Sequence, residues 1–330
     1  MLIQETTQFH ADLPDAFRGV FGQAVNSVYH DKLDKFYHED SGRAVIRVRE
    51  GATAKKVKGV VTAEPMTGEN VYVRPNGETY TSRKWGDHSD IEVLRKGRAI
   101  KQYSLVYGPP GTGKTALLEA AFGDDLVTII GTGDTEVADF VGGYIQTPSG
   151  GFEWVDGPLL QAMEQGKVLF IDEIGLVDPK VLSLVYGLMD GRGELRVTQN
   201  PERGVVKVQD GFYVVAATNP NAPGVRLSEA LLSRFGIQAE MVTDWTIARK
   251  LGVPMPVITV SQNLAKRYQS GEVSWSPQMR EVLTFKLLAE NFGTEWAISN
   301  LIASAPELDR PVVAEMFSKT FGEVAEPARI

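Results

Sequence analysis

The stretch 105-LVYGPPGTGKTALLEA-120 decides how this chain is read. An apolar run ends at Tyr107. Gly108, Pro109, Pro110, Gly111, Thr112, Gly113, Lys114 and Thr115 then complete the pattern GxxxxGK[ST], and helical spacing begins at about Ala116. A strand, a glycine-rich loop and a helix start in that order have one strong physical reading. The glycines let successive backbone N–H groups turn inward around a phosphate, and the helix start adds partial positive charge. Lys114 reaches the terminal phosphates, and the Thr115 hydroxyl can ligate magnesium. The loop predicts a bound nucleotide with Mg2+ and leaves open what the nucleotide is used for.

Outward from the loop, short apolar runs alternate with helical spacing. YSLVY is the first buried strand, and LVTII (126–130), KVLFI (167–171), FYVVAAT (212–218) and GIQAEM (236–241) follow it. That alternation predicts an α/β fold in which helices cover both faces of a parallel sheet. Ser89-Asp90-Ile91-Glu92 has the form of a capping box ahead of the first strand. From about Asp244 the chain reads as helices, with starts at Ser276-Pro277 and Asp309-Arg310-Pro311. Toward the N-terminus, Phe17, Val20, Phe21, Ala24, Val25 and Val28 recur at helical spacing, and RAVIRVR and NVYVRPNGETY read as extended, with Asn76-Gly77 as a hairpin turn. The expected organisation is an α+β N-terminal region over 1–88 of unknown role, a nucleotide-binding core over 89–243 and a small all-helical domain over 244–330.

Composition narrows the class. With 330 residues, 43% of them hydrophobic, the chain is long enough for two domains with separate cores. No run approaches the roughly 18 apolar residues of a membrane span, and the N-terminus lacks the pattern of a signal peptide, so a cytoplasmic protein without membrane contact is expected. There is no cysteine, hence no disulfide framework and no thiolate zinc site. His10, His30, His38 and His88 are too scattered for a metal motif. The net charge of -8 conceals an asymmetry: residues 43–101 carry 13 Lys and Arg against 7 Asp and Glu, leaving the rest of the chain at -14. A basic segment on an acidic body can touch nucleic acid, or pair with acidic surface of its own or a neighbouring subunit, and the second reading is preferred.

Three further elements carry chemistry. VLFIDEI puts Asp172 and Glu173 at the end of a strand, where the first carboxylate can hold magnesium and the second can orient and deprotonate an attacking water. Two adjacent acids favour hydrolysis of ATP over transfer to a substrate. VVAATNPN places Asn219 at the end of the next strand, within reach of a γ-phosphate or the water. LSEALLSRF puts Arg234 after a helix, and its planar fork suits the charge that develops on a transferring phosphoryl group.

In that order these elements resemble the AAA+ ATPases, and more narrowly their MoxR-like, dynein-related branch. GPPGTGKTALLEA, DTEVADFVGGY, the stretch from Gly150 to Asp190, AATNPN and LSEALLSRF carry the likeness, which covers residues 89–330. The resemblance implies a P-loop NTPase core with a five-stranded parallel sheet, a helical lid, hexameric rings and ATP with Mg2+ at subunit interfaces. It also implies Asn219 as a sensor and Arg234 as a finger acting on the neighbouring subunit's nucleotide. Family members carry a lid arginine at the position that Gln278 occupies here; Arg280 lies about 200° further around a helix and can substitute only if that helix starts differently.

What such a ring acts on is less legible. Between Lys114 and Lys167 the chain has no Lys or Arg. That interval includes VGGYIQTPSGGFEWVDGPL, which in the family forms a hairpin pointing toward the ring axis. Tyr144, Phe152 and Trp154 there suit gripping polypeptide or serve as local core, and a loop that grips DNA should supply cations. The preferred reading is a chaperone-like ATPase that remodels a protein client, for which the resemblance suggests a partner with a von Willebrand factor A domain. A second reading is a nucleic-acid motor or loader, supported by the basic segment with Lys55, Lys56 and Lys58 and by a second hairpin (191–210) bearing Arg192, Arg196, Arg203 and Lys207. A third is an ATP-dependent assembly switch with slow turnover.

Overall fold

The computed structural model describes residues 35–38, 44–47, 70–322 and 325–328. The chain divides into two compact units, Met1–Val61 and Thr62–Ile330. In the first, β1 (Lys35–His38) and β2 (Ala44–Arg47) form an antiparallel pair, the second strand falling within RAVIRVR. The helix expected over 17–28, His10, His30, the His38 side chain, and Lys55, Lys56 and Lys58 lie outside the described residues.

The second unit opens with two small hairpins. β3 (Val71–Val73) pairs with β4 (Thr79–Thr81), and β5 (Lys84–Trp85) with β6 (His88–Ser89). The turn read at Asn76-Gly77 forms for the expected reason. Gly77 takes a φ of 83°, and the Asn76 side chain accepts the Glu78 N–H at 3.0 Å. The first hairpin packs against helices that come later in the chain. Tyr80 shares a buried cluster with Leu94, Leu117 and Leu118, and its hydroxyl donates to the buried Asp90 carboxylate at 2.5 Å. Packing therefore carries the nucleotide-binding unit back across the boundary expected at residue 88.

The α/β alternation then runs through α1 (Asp90–Ala99), β7 (Ser104–Tyr107), α2 (Lys114–Phe122), β8 (Leu126–Ile130), α3 (Val137–Val141) and a hairpin of β9 (Gly142–Gln146) and β10 (Phe152–Asp156). It continues with α4 (Pro158–Gln165), β11 (Val168–Asp172), α5 (Pro179–Met189), a second hairpin of β12 (Glu194–Arg196) and β13 (Val205–Lys207), β14 (Tyr213–Thr218), α6 (Glu229–Leu232) and β15 (Ile237–Glu240). Ser89 caps α1 as expected, its hydroxyl accepting the Glu92 N–H at 3.0 Å, while the Glu92 carboxylate turns to Lys96.

Strands β15, β7, β14, β11 and β8 lie side by side in that order, all parallel. Their side chains alternate with period two. Leu105, Leu169, Ile171, Val214 and Ala216 enter one core with Phe140, Leu160 and Leu182, whereas Val106, Val168, Phe170, Val215 and Ala217 enter the other with Leu94 and Leu118. Burial on both faces is why the central strands β7, β14 and β11 are nearly continuous apolar runs in the sequence, while the edge strands β15 and β8 keep polar or exposed positions. Because the strands are parallel, their C-terminal ends share one edge, and loop 108–113, Asp172 and Asn219 all lie there.

The C-terminal helices α7 (Trp245–Lys250), α8 (Met255–Gln269), α9 (Met279–Phe292), α10 (Thr294–Ser304) and α11 (Arg310–Phe321) enclose their own core around Val257, Leu264, Phe285, Leu301 and Phe317. Of the two expected starts, the one at Ser276-Pro277 is displaced and the one at Asp309-Arg310-Pro311 holds. Helix α9 begins after Gln278, because Gln278 and Glu281 form the capping box: the Gln278 N–H donates to the Glu281 carboxylate at 2.8 Å, and the Gln278 side chain accepts from Thr243 at 2.8 Å. Asp309 precedes α11 but does not cap it through its side chain. Its carboxylate is taken by the Ser274 N–H and hydroxyl, at 2.9 and 2.7 Å.

Candidate functional site

The site is built around loop 108–113. The Gly108 N–H donates to the Thr218 carbonyl at 3.1 Å, which anchors the loop between the ends of β7 and β14. Gly108 has a φ of 144°, and a Cβ there would lie 2.3 Å from the Met241 carbonyl oxygen. Gly111 and Gly113 take φ values of 77° and 96°. Only glycine visits these conformations without strain, and Gly113 caps α2 with no side chain of its own. The first N–H groups of α2 therefore stay available to an anion, as a phosphate cradle requires. Pro109 and Pro110 lie on the outer turn of the loop, the buried Thr112 hydroxyl braces it by donating to the Pro109 carbonyl at 3.0 Å, and Ala116 packs toward the sheet.

Lys114 is only 7% exposed, and its ammonium donates to the Gly108 and Pro109 carbonyls at 2.8 and 2.9 Å. Burial pulls its pKa below the usual lysine value, against the pull of Glu173 and Asp172. The Thr115 hydroxyl donates to Asp172 at 3.4 Å. Burial, and next the charge of Glu173, push the Asp172 carboxyl above its ordinary range. One hydroxyl and one carboxylate converging beside a phosphate cradle fit Mg2+, which commonly takes one or two protein oxygens and leaves its other positions to phosphates and water. Among the described residues there is no cluster of three or more acidic or imidazole groups that could hold a metal by itself.

Glu173 has a φ of 50° and a ψ of 42°, a left-handed conformation that carries strain in a residue with a side chain. Its carboxylate accepts the Asn219 backbone N–H at 3.3 Å, so the ends of β11 and β14 meet. The Asn219 side-chain oxygen accepts the Asn221 N–H at 3.2 Å. Helix α9 reaches the same loop. Its late start makes Arg280 its second residue, and the Arg280 N–H donates to the Gly111 carbonyl at 3.0 Å. The helix does start differently from the expectation, and Gln278 is used in capping.

The geometry separates Arg234 from this group. Arg234 sits with Lys101, Gln102 and Tyr103, ahead of β7, whereas the loop follows the other end of that strand. The six residue-to-residue rises from Gln102 to Gly108 amount to about 20 Å of extended chain, beyond the reach of one arginine side chain. Asp172, Glu173, Asn219, Lys114, Thr115 and Arg280 are brought together; Arg234 is on the opposite edge.

One part of the site escaped the sequence reading. A cleft of about 580 Å³ beside the loop is lined by Arg83, Trp85, Leu117, Met241 and Trp245 among others. Arg83 donates to the Thr112 carbonyl at 2.6 Å and the Val242 carbonyl at 2.7 Å, tying strand β5's hairpin to the loop. Its aromatic and apolar walls suit a flat ring system. The signal was weak: no motif marks Arg83 or Trp85, and both lie in the region read as separate from the core. A larger cleft of about 690 Å³ lies around Tyr72 and Arg95; unlike the first, it has no lining residue from α2 or from β15.

A parallel five-stranded sheet with a glycine loop and paired acids on its C-terminal edge defines a nucleotide-binding P-loop domain. Residues 104–235 match the family model described as AAA domain (dynein-related subfamily), and this segment is an AAA domain of that subfamily. The chain is similar to an uncharacterized protein of Staphylococcus epidermidis, 34% identical over 160 residues, covering 45% of this chain and 60% of that protein. It is also similar to the uncharacterized YojN protein of Bacillus subtilis, 37% identical over 155 residues, covering 44% and 49%. The match thus spans about half to three fifths of these relatives' own lengths. A solved structure of a provisionally assigned ATPase from Cytophaga hutchinsonii aligns over 68% of this chain and 78% of that chain at 17% identity, with a TM-score of 0.40. No helix among the described residues is long and apolar enough to cross a membrane.

Proposed function

We propose that this protein hydrolyses ATP, as a ring-forming motor of the MoxR-like kind that changes the conformation or assembly of a protein client. The observation that carries the hydrolytic reading is the convergence of Asp172 and Glu173 on a loop that holds Lys114 and Thr115 at its exit. In this reading loop 108–113 and Lys114 hold the triphosphate, and Arg280 approaches it from the lid. Thr115 and Asp172 hold Mg2+, which neutralises phosphate charge, and Trp85, Met241 and Trp245 receive the base. Glu173 accepts a proton from the attacking water, and Asn219 holds the water or the γ-phosphate in line. Arg234 acts in trans, because its own loop is out of reach.

Steady-state phosphate release by Glu173→Gln tests this. Loss of general-base catalysis lowers kcat by about 10²–10⁴-fold while nucleotide affinity stays within a few-fold. If Glu173→Gln hydrolyses ATP at the normal rate, the assignment of the base is wrong.

The choice of a protein client is supported by the first hairpin. Tyr144, Ile145 and Phe152 are exposed, Phe152 by 71%, and no cation accompanies them on β9 or β10. Trp154 turns inward, its ring 5.3 Å from Tyr144 and its indole N–H donating to Asp156 at 2.6 Å, so the two readings of these aromatics divide between residues. A nucleic-acid motor remains the second reading, on the exposed Arg192, Arg196 and Lys207 of the second hairpin; Arg203 drops out because it pairs with Asp156 and Glu164. ATPase stimulation by DNA that falls steeply with salt would favour that reading over a protein client, and an assembly switch predicts slow turnover with every partner. The hexamer and a von Willebrand factor A domain partner are parts of this proposal that rest on the family resemblance.

A further inference from the structure

The Arg234 guanidinium is engaged within its own subunit. Nη1 donates to the Ala230 carbonyl at 2.5 Å, Nη2 donates to an Asp190 carboxylate oxygen at 2.7 Å, and the guanidinium carbon lies 4.6 Å from the centre of the Tyr186 ring. Nε is buried and has no partner. Tyr186 and Asp190 both come from the end of α5, the helix that starts just after the Asp172-Glu173 turn and crosses the sheet to the opposite edge. An arginine that must present its fork to another subunit's phosphate is here holding a carboxylate.

We propose that Asp190 is a latch for Arg234: it competes with the neighbouring subunit's γ-phosphate for the guanidinium fork and parks the finger until that phosphate draws it away. This rests on the reading of Arg234 as a finger acting in trans. Three observations carry it. First, the fork is planar and its donors are fixed, so the Nη2 N–H that serves Asp190 cannot serve a phosphate in the same pose. Second, the hold is reversible. The Arg234 side chain is 23% exposed and that of Asp190 49%, and an ion pair so hydrated biases an equilibrium by only about fivefold. A magnesium-bound triphosphate carries more charge than one carboxylate and outcompetes it. Third, the guanidinium carbon lies over the Tyr186 ring, a contact that uses none of the N–H donors. The ring keeps the plane oriented whichever anion the edge faces.

Asp190 is therefore a positioning residue, and the latch acts against the transition state, where the finger is needed. The test is steady-state ATP hydrolysis by the full chain over a range of ATP concentrations, with the assembly state followed by light scattering. Asp190→Asn raises kcat by about two- to fivefold, the size of the lost ion pair, with KM within about twofold. Asp190→Glu restores the wild-type rate, and Asp190→Ser replaces the amide variant if that one does not fold. A fall in kcat toward the Arg234→Ala level overturns the latch, because Asp190 would then be setting the productive pose. An unchanged kcat overturns it too, because nothing would have been held. Arg234→Ala with full activity in the assembled state sinks the finger reading itself and the latch with it. Loss of activity in Arg234→Ala beside an unchanged Asp190→Asn sinks the latch alone.

Discussion

At the scale of single residues, the loop shows how a backbone requirement can be read as a letter. Gly108 is fixed by its φ and by the Met241 carbonyl 2.3 Å from where a Cβ would stand. Gly108→Ala therefore destabilises the fold by at least about 2 kcal/mol, since neither backbone can yield cheaply. Gly133, which has open space around it, tolerates alanine to within about 0.5 kcal/mol; chemical denaturation measures both. Asp172 carries a different tension. Its carboxyl is pushed above the ordinary value, first by burial and then by Glu173. The sign comes from linkage: the folded state binds this proton more tightly than the unfolded one. The contribution to stability is present below the ordinary aspartate pKa and is lost as pH rises through the raised value. At neutral pH the ionised Asp172 is thus a cost to the nucleotide-free protein. Asp172→Asn raises the nucleotide-free melting temperature while it lowers Mg2+-dependent hydrolysis; thermal melts with and without ATP and Mg2+ check both signs.

At the scale of elements, the two hairpins are joined. Arg203, from the second, donates to the Asp156 carboxylate at 2.8 and 3.1 Å and pairs with Glu164, while Trp154 donates to the same Asp156. These hydrogen bonds from Arg203 hold the Asp156 carboxyl below the usual range. Here the sign is the reverse of that at Asp172. The contact stabilises above the ordinary aspartate pKa and is lost only as pH falls through the lowered value. All three groups keep some exposure, so the pair is worth about 0.5–1 kcal/mol. A double-mutant cycle on Arg203→Ala and Asp156→Ala recovers a coupling of that size, and Arg203→Ala speeds proteolytic cleavage within 146–151; equal cleavage rates would show that the hairpins are independent. The contact was illegible in sequence because Asp156 and Arg203 are far apart in the chain, and each alone reads as a solvated charge.

At the scale of the whole molecule, the phosphate loop and Arg234 lie on opposite edges of the sheet. The chain carries the phosphate loop with its acids at one edge and Arg234 at the other, and a parallel sheet does not bring the two together within one chain; the ring proposed above would complete the site between chains. Two inactive variants should therefore rescue each other. Arg234→Ala keeps a sound nucleotide loop, and Lys114→Ala keeps a sound finger. Equal mixing leaves roughly a quarter of ordered interfaces with both parts intact, and ATPase activity returns to about that fraction. No recovery on mixing, in a sample that exchanges subunits, refutes a finger in trans. The lid belongs to this scale as well, since Arg280 reaches loop 108–113 only through the packing that carries α9 to Gly111.

The sequence by itself determined the elements whose chemistry is local. Strand ends, glycines of positive φ, the paired acids and the order of the five strands along the chain are set by short stretches of chain, so 105-LVYGPPGTGKTALLEA-120 and VLFIDEI were readable as a cradle and its carboxylates. Only the tertiary structure decided what depends on distant segments meeting. It put Arg83, Trp85 and Trp245 around one cleft, moved the start of α9 so that Arg280 faces the loop, and brought Asp190 to Arg234 and Arg203 to Asp156. Those contacts arise from the packing of whole helices and hairpins, and no spacing rule within a single segment encodes them.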